Sequence, residues 1–213
     1  MKTRTLPLIL TLLAALISFA PAAYALHVVA GWTDADIGLE ERGNGFYAGV
    51  QESWALGTGM FDFTAAGEYL QKAGSMHRYY SDPHTGLTYG EAKVRLHCFQ
   101  TAGFIGMSIP VSSFTPRLYT GASVVLNLSN SWDEPEGSTD GDYSYENMDF
   151  QVHLGLTIEV SRFLLDVRYS TGLLGQVIDR TNEIANPNKA EVEELPENGA
   201  KINSVQVGIG YSF

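Results

Sequence analysis

The stretch INSVQVGIGYSF, residues 202–213, alternates strictly between apolar residues and small or polar ones. Successive side chains of a β-strand point to opposite faces, so one face of this segment is apolar and the other is small and polar. A soluble sheet turns its apolar face to a core, whereas a membrane barrel turns that face to lipid and keeps the polar one inside. The two faces are Val205, Val207, Ile209, Tyr211 and Phe213 against Ser204, Gln206, Gly208, Gly210 and Ser212.

The beginning of the sequence favours export. Lys2 and Arg4 precede an apolar run at residues 6–19, and the small-residue triplet Ala-Tyr-Ala follows. This order is typical of a secretory signal peptide, and the run is short for an uncleaved membrane anchor. We expect residues 1–25 to be removed after Ala25, which leaves one domain at 26–213.

Composition excludes several classes of protein. No later stretch approaches the ~20 apolar residues that a membrane helix needs, so a membrane location requires a closed barrel. Without Lys2 and Arg4 the chain carries 11 basic and 24 acidic residues, a net charge of −13, which argues against a nucleic-acid partner. Cys98 is the only cysteine and forms no internal disulfide; we interpret it as a small apolar wall residue.

Eight strand-like segments recur along the chain. Three connections are tight turns, at 57–59, 112–114 and 161–162, and they alternate with four long polar ones, at 34–44, 73–87, 130–146 and 175–202. This alternation is typical of outer-membrane barrels, with short periplasmic turns and longer outer loops. We therefore predict an all-β, eight-stranded antiparallel up-and-down transmembrane β-barrel. Its strands are 26–33, 45–56, 60–72, 88–111, 115–129, 147–160, 163–174 and 203–213.

Charged residues fall on the same face as glycines in several of these strands. An eight-stranded barrel is narrow, so inward side chains fill it. We expect a hydrogen-bonded ion-pair network in the lumen, in which Arg168 reaches Glu68, Glu159 or another carboxylate; a gated ion path is the alternative. The predicted network is Glu68, Arg117, His153, Glu159, Asp166 and Arg168.

Two places disturb the alternation. Glu52 shares a face with the apolar residues of its strand, so either a bulge shifts the register or Glu52 lies near the membrane interface. In the fourth segment Val94, Leu96 and Cys98 have the opposite parity to Ile105, Met107, Ile109 and Val111, and we place a bulge at 100–103.

The segments MDFQVHLGLTIEVSRFLLDVRYSTGLLGQV and SVQVGIGYSF, with FTAAGEYLQKAGS, GMSIPV and TPRLYTGASVVLNL before them, resemble the PorT-like outer-membrane β-barrel domain family, a small barrel of the OmpA/OmpX-like kind. The match covers about residues 60–213 and departs at Ala73 and Ser108. It implies the fold and an outer-membrane location in a Gram-negative bacterium. One member of that family is tied to a protein-secretion machine, a role that we do not transfer. The terminal aromatic strand resembles the signal read by the barrel-assembly machinery, carried by Tyr211 and Phe213.

The polar connections hold weak candidates for chemistry. Asp140, Asp142 and Glu146 alternate as in a calcium loop but lack the glycine and distal glutamate of an EF-hand, so a solvated acidic loop is the simpler interpretation. His77 and His84 lie near Ser81 and Asp82 and could serve acyl transfer at the rim, but no spacing is diagnostic.

We therefore expect a structural or binding barrel with outward acidic loops and no enzymatic activity or cofactor. Its expected partners are outer-membrane lipids, the assembly machinery and an extracellular ligand of unknown kind. The alternatives are a rim enzyme acting on lipid, a narrow gated channel and a secretion accessory.

Overall fold

A computed structural model describes residues 25–57, 60–82, 86–109, 111–133, 142–174, 177–180 and 201–213. Of the expected signal peptide only Ala25 falls within these ranges, as the first residue of the first strand. Within them no helix is long and apolar enough to cross a membrane.

Eight long strands close into one antiparallel barrel, which confirms the predicted fold class. Their order round the barrel is β1-β10-β8-β7-β5-β4-β3-β2, and closure brings β1 beside β10, with Val28 opposite Tyr211. Two short strands, β6 and β9, pair separately. The strands are β1 Ala25–Asp36, β2 Glu41–Leu56, β3 Phe61–Asp82, β4 Gly86–Ser108, β5 Thr115–Asp133, β6 Asp142–Tyr145, β7 Met148–Val160, β8 Phe163–Gly172, β9 Val177–Arg180 and β10 Asn203–Ser212.

The barrel is apolar outside and polar inside. In β8 the side chains of Leu165 and Val167 are exposed, whereas those of Asp166 and Arg168 are buried. The same alternation runs along β7 and β10. A face of this kind is stable against lipid and would be an aggregation surface in water.

The connections at 34–44 and 73–87 are not the long loops that we predicted. β1 and β2 continue to a connection at 37–40, and β3 and β4 stay paired as far as Asp82 and Gly86. Alternation of apolar and polar residues is imposed by lipid on one side, so strands that continue beyond the membrane lack that signal. Within the described residues the connections 130–146 and 175–202 include the strands β6 and β9.

The upper part of β3 and β4 forms an arm that pairs with none of the other described strands. β2 pairs with β3 only as far as Ser75, and β5 pairs with β4 only from Lys93. Within the part of the chain that the structure describes, residues 76–82 and 86–92 therefore pair only with each other. We call residues 76–92 the arm, the barrel end that carries it the arm end, and the opposite end the turn end.

The predicted bulge at 100–103 is wrong. The ladder between β3 and β4 is unbroken, and β4 keeps one phase throughout, with Val94, Leu96 and Cys98 buried inside. Val94, Leu96 and Cys98 are apolar and inward, whereas Ile105 is apolar and outward. The apolar residues change face because the arm end of the lumen is itself apolar. A register shift occurs instead between β4 and β5, where Leu128 is the extra residue.

Glu52 lies in a regular part of the sheet. The only shift between β2 and β3 falls between Gly43 and Tyr47, so a bulge at Glu52 is excluded. Glu52 keeps the parity of Trp54 and lies four residues before the end of β2 at Leu56, near the turn end. This position favours the interfacial interpretation.

Candidate functional site: the filled barrel interior

Arg168 is the centre of the interior. Its side chain is fully buried and donates to both oxygens of Glu68, from Nη1 to Oε2 at 2.7 Å and from Nη2 to Oε1 at 3.0 Å. Nη2 also lies 3.3 Å from Asp166 Oδ2. The bidentate pair spans the lumen from β8 to β3, and this planar geometry suits a guanidinium better than an ammonium.

Hydrogen bonds hold both carboxylates of this cluster. The Tyr119 hydroxyl donates to Asp166 Oδ1 at 2.6 Å and accepts from Arg168 Nε at 3.1 Å. The amides of Gln51 and Gln100 donate to Glu68 at 3.0 and 3.2 Å. A buried ion pair is stable only when its remaining lone pairs are satisfied in this way, so the cluster acts as a rigid cross-brace.

Aromatic rings enclose the guanidinium, and inward glycines make room for them. The ring of Phe104 lies 4.8 Å from Arg168 Cζ. Tyr119 lies directly over Gly155, its cross-strand neighbour, where an added Cβ would come within 2.2 Å of the ring. Tyr47 similarly covers Gly31 and Gly208. The cluster therefore depends on residues with no side chain.

The other predicted lumen residues form separate groups. His153 lies between Ser170 and Ser123, with each ring nitrogen 2.7 Å from a hydroxyl. Arg117 forms an ion pair with Asp62, with Nε 2.9 and 2.8 Å from the two carboxylate oxygens.

Glu159 lies apart from the cluster. With Arg117 and His27 it lines a cavity of about 40 Å³ at the turn end, a volume suited to a few water molecules. The six residues that we predicted as one network thus form three groups. Glu68, Asp166 and Arg168 form one, His153 another, and Arg117 with Glu159 the third, around the cavity. Only the first group is joined by direct contacts between its predicted members.

The predicted enzymatic and metal residues receive no support from geometry. The side chains of His77, Ser81, Asp82, His84, Asp140 and Asp142 lie outside the described ones. Glu146 is exposed, and its backbone carbonyl accepts a bond from the Asn127 amide. No group of three metal-binding side chains occurs among the side chains that the structure describes. His153 and its serines are closed inside the barrel.

The terminal aromatic residues lie on the outside at the turn end. The rings of Tyr211 and Phe213 are 5.1 Å apart, and that of Phe163 lies 5.5 Å from Tyr211. The Phe213 amide donates to the Leu26 carbonyl at 3.0 Å, which extends the seam between β1 and β10.

Sequence reasoning missed several interior residues. Lys72 and Asp149 are buried, Asp62 is the partner of Arg117, and Tyr119 joins Asp166 to Arg168. The available signal was the alternation of faces, since Lys72 falls on the same face of its strand as Glu68. The inward glycine opposite Tyr119 was a second signal, because glycine opposite a large residue marks a crowded position.

Three solved structures resemble this one at low sequence identity. Neisserial surface protein A is 13% identical with a TM-score of 0.45, over 89% of this chain and 96% of its own. The outer membrane enzyme PagL is 12% identical, with a TM-score of 0.43 and coverage of 88% and 98%. Ail of Yersinia pestis, solved with the heparin analogue sucrose octasulfate, is 12% identical, with a TM-score of 0.45 and coverage of 89% and 99%. At this similarity the names say nothing of what this chain binds or catalyses.

No curated protein sequence matches the chain. A family model does match, over residues 32–175, which is more than half of the chain and includes the Arg168 cluster. The closed barrel and its apolar exterior agree with an outer-membrane location. The chain belongs to the outer membrane protein beta-barrel domain family.

Proposed function

We propose that this protein is a cell-surface binding barrel, in which a sealed interior supports the arm and the polar connections at the arm end. The observation that carries the proposal is the arm, whose strands pair only with each other beyond Ser75 and Lys93. Seven residues on each side extend about 23 Å at the usual rise of a strand. An isolated two-stranded hairpin is marginally stable in water, so a partner or a neighbouring surface would stabilise it.

The composition of the arm end favours a protein or polymer partner. The arm holds Tyr79, Tyr80 and Tyr89, and tyrosine is enriched at interfaces because it supplies a large contact area at low entropic cost. The connections 130–146 and 175–202 are rich in Asp and Glu. We therefore propose a partner with a basic surface, whose association depends on salt.

The interior gives no support to a channel. The buried Arg168 cluster crosses the lumen, and an apolar cluster occupies it nearer the arm end. A rim enzyme remains the second hypothesis, resting on His77 and His84, and no described geometry favours it. The PorT-like assignment, the removal of residues 1–25 and a secretion-accessory role likewise stay proposals.

Topology is the first test. Single cysteines at Ser138 and Asn188, in a Cys98→Ala background, should react with a membrane-impermeant maleimide on whole cells, and a cysteine at Thr58 should not. Labelling at Thr58 alone would place the arm in the periplasm and remove the surface role.

Binding is the second test. The full chain in lipid nanodiscs should bind a fluorescent oligolysine peptide, and affinity should fall steeply as salt rises. Replacing residues 77–91 by Asn-Gly should reduce binding of a genuine partner more than that of oligolysine, because the arm supplies shape and the connections supply charge. Release of fatty acid from lipopolysaccharide, abolished by His77→Ala or His84→Ala, would instead establish the rim enzyme.

A further inference from the structure

A second polar layer lies between the Arg168 cluster and the arm end. Five side chains from four strands form it, and each is at most 2% exposed. We call it the inner chamber, and its residues are Thr33, Lys72, Asp149, Gln151 and Gln206.

Every one of these side chains has a polar atom without a hydrogen-bond partner among the described residues. The atoms are Thr33 Oγ1, Lys72 Nζ, Asp149 Oδ1, Gln151 Oε1 and both amide atoms of Gln206. A buried polar group without a hydrogen-bond partner is destabilising, and a charged one is more so. Six such atoms in one layer are more than a folded barrel would retain without compensation.

Two pairs of these side chains are direct neighbours. Thr33 and Gln206 are direct cross-strand neighbours, and Gln151 Nε2 donates to Asp149 Oδ2 at 2.8 Å. Cys98 and Asp149 lie within electrostatic range of Lys72 Nζ, yet no ion pair within 4.0 Å joins Lys72 to Asp149. Lys72 Nζ and Asp149 Oδ1 are therefore both left without a direct hydrogen-bond partner.

The chamber is closed at both ends. Towards the turn end Gln206 is the cross-strand neighbour of Arg168, whose cluster fills the lumen. Towards the arm end the buried side chains of Ile37, Val94 and Leu96 belong to one apolar cluster. An occupant must therefore be small enough to be enclosed during folding.

We propose that the inner chamber is a binding site for a cluster of ordered water molecules that bridges Lys72 to Asp149 and satisfies the amide of Gln206. The chemistry of the atoms selects water. Lys72 and Gln206 Nε2 donate, whereas Asp149 Oδ1, Gln151 Oε1 and Gln206 Oε1 accept. A metal cation would leave the donors Lys72 Nζ and Gln206 Nε2 unsatisfied, and an anion would leave the acceptor oxygens unsatisfied. Water both donates and accepts, and a buried water commonly makes about three such bonds.

A high-resolution crystal structure of the full chain in detergent tests the proposal directly. Water molecules should lie within hydrogen-bond distance of both Lys72 Nζ and Asp149 Oδ1. A direct contact between those two atoms would overturn the proposal, and so would a dry chamber or density for a metal ion or an organic molecule.

Two near-isosteric variants give a second, independent test in lipid. Gln206→Met and Thr33→Val remove unpartnered polar atoms while keeping the volume. If water occupies the chamber, each variant removes hydrogen bonds to that water. The sample temperature at which the folded form disappears on SDS gels should then fall by several degrees. If the chamber is dry, the same variants remove unsatisfied groups and that temperature should rise. An unchanged or raised temperature in both variants overturns the proposal.

Discussion

At the residue scale, stability depends on a few buried charges rather than on many weak contacts. Arg168 contacts two carboxylates and one hydroxyl while fully enclosed. Removing one partner of such a pair leaves an uncompensated buried charge, which costs more than the pair itself contributes.

We expect Arg168→Met to lower the free energy of unfolding by about 3–5 kcal/mol, because Glu68 and Asp166 lose their counter-charge. The double variant Arg168→Met/Glu68→Met should be more stable than Arg168→Met alone. Urea titration in lipid vesicles, followed by tryptophan fluorescence, measures both. Arg162→Ala is the control, since Arg162 is exposed and contacts only the Tyr211 hydroxyl at 3.2 Å among the side-chain bonds described for it. Equal losses for Arg162→Ala and Arg168→Met would refute the account of the cluster.

The glycine beneath Tyr119 gives a second prediction. Gly155→Ala should destabilise the barrel by about 1–3 kcal/mol, because the new methyl group overlaps the ring and moves its hydroxyl from Asp166. Gly103→Ala is the matched control on the lipid face, where an added Cβ meets only Phe63 at 3.4 Å. The same titration measures both. A Gly155→Ala variant as stable as Gly103→Ala would show that the placement of Tyr119 over Gly155 does not contribute to stability.

At the element scale, the sequence predicts strands well where lipid constrains them. β7, β8 and β10 alternate along their whole length because one face meets hydrocarbon and the other a crowded lumen. Residues 76–87 of the arm were predicted as a loop because apolar and polar residues do not alternate along them. Tyr119 contacts Asp166, and Arg117 contacts Asp62, across strands that are distant in sequence. Alternation alone therefore shows which face of a strand each residue occupies but not which residue it contacts.

The arm should be dispensable for the barrel. Replacing residues 77–91 by Asn-Gly keeps the Met76–Ala92 pair. Among the described contacts it removes backbone bonds within the arm and the exposed Glu91–Lys93 ion pair. Because no other strand pairs with this segment, we expect the free energy of unfolding to change by less than about 1 kcal/mol. Heat-modifiable migration on SDS gels provides the measurement, and complete loss of the compact band would show that the arm is part of the barrel core.

Phe213 should matter for assembly more than for stability. Deleting it removes one backbone bond to Leu26 and the ring against Tyr211. We expect slower incorporation into the outer membrane in cells and a small change in unfolding of the refolded protein. Comparing the membrane fraction with the refolding yield in vitro separates the two effects, and normal incorporation would remove the assembly role of Phe213 alone.

At the scale of the whole molecule, the barrel is a scaffold whose lumen is blocked by buried side chains. The turn end holds a small polar cavity, the middle holds the Arg168 cluster, and the arm end holds apolar side chains. A lumen blocked in this way is the reason that we place the proposed activity on the surfaces at its ends.

Conductance measures this central claim most directly. Full-length protein, refolded and inserted into a planar bilayer, should show no current above that of the protein-free membrane at any voltage that the membrane tolerates. A porin inserted in the same set-up provides the positive control. Discrete and reproducible conductance steps from the wild-type protein would contradict a sealed interior, and would make the lumen rather than the arm the working part of the molecule.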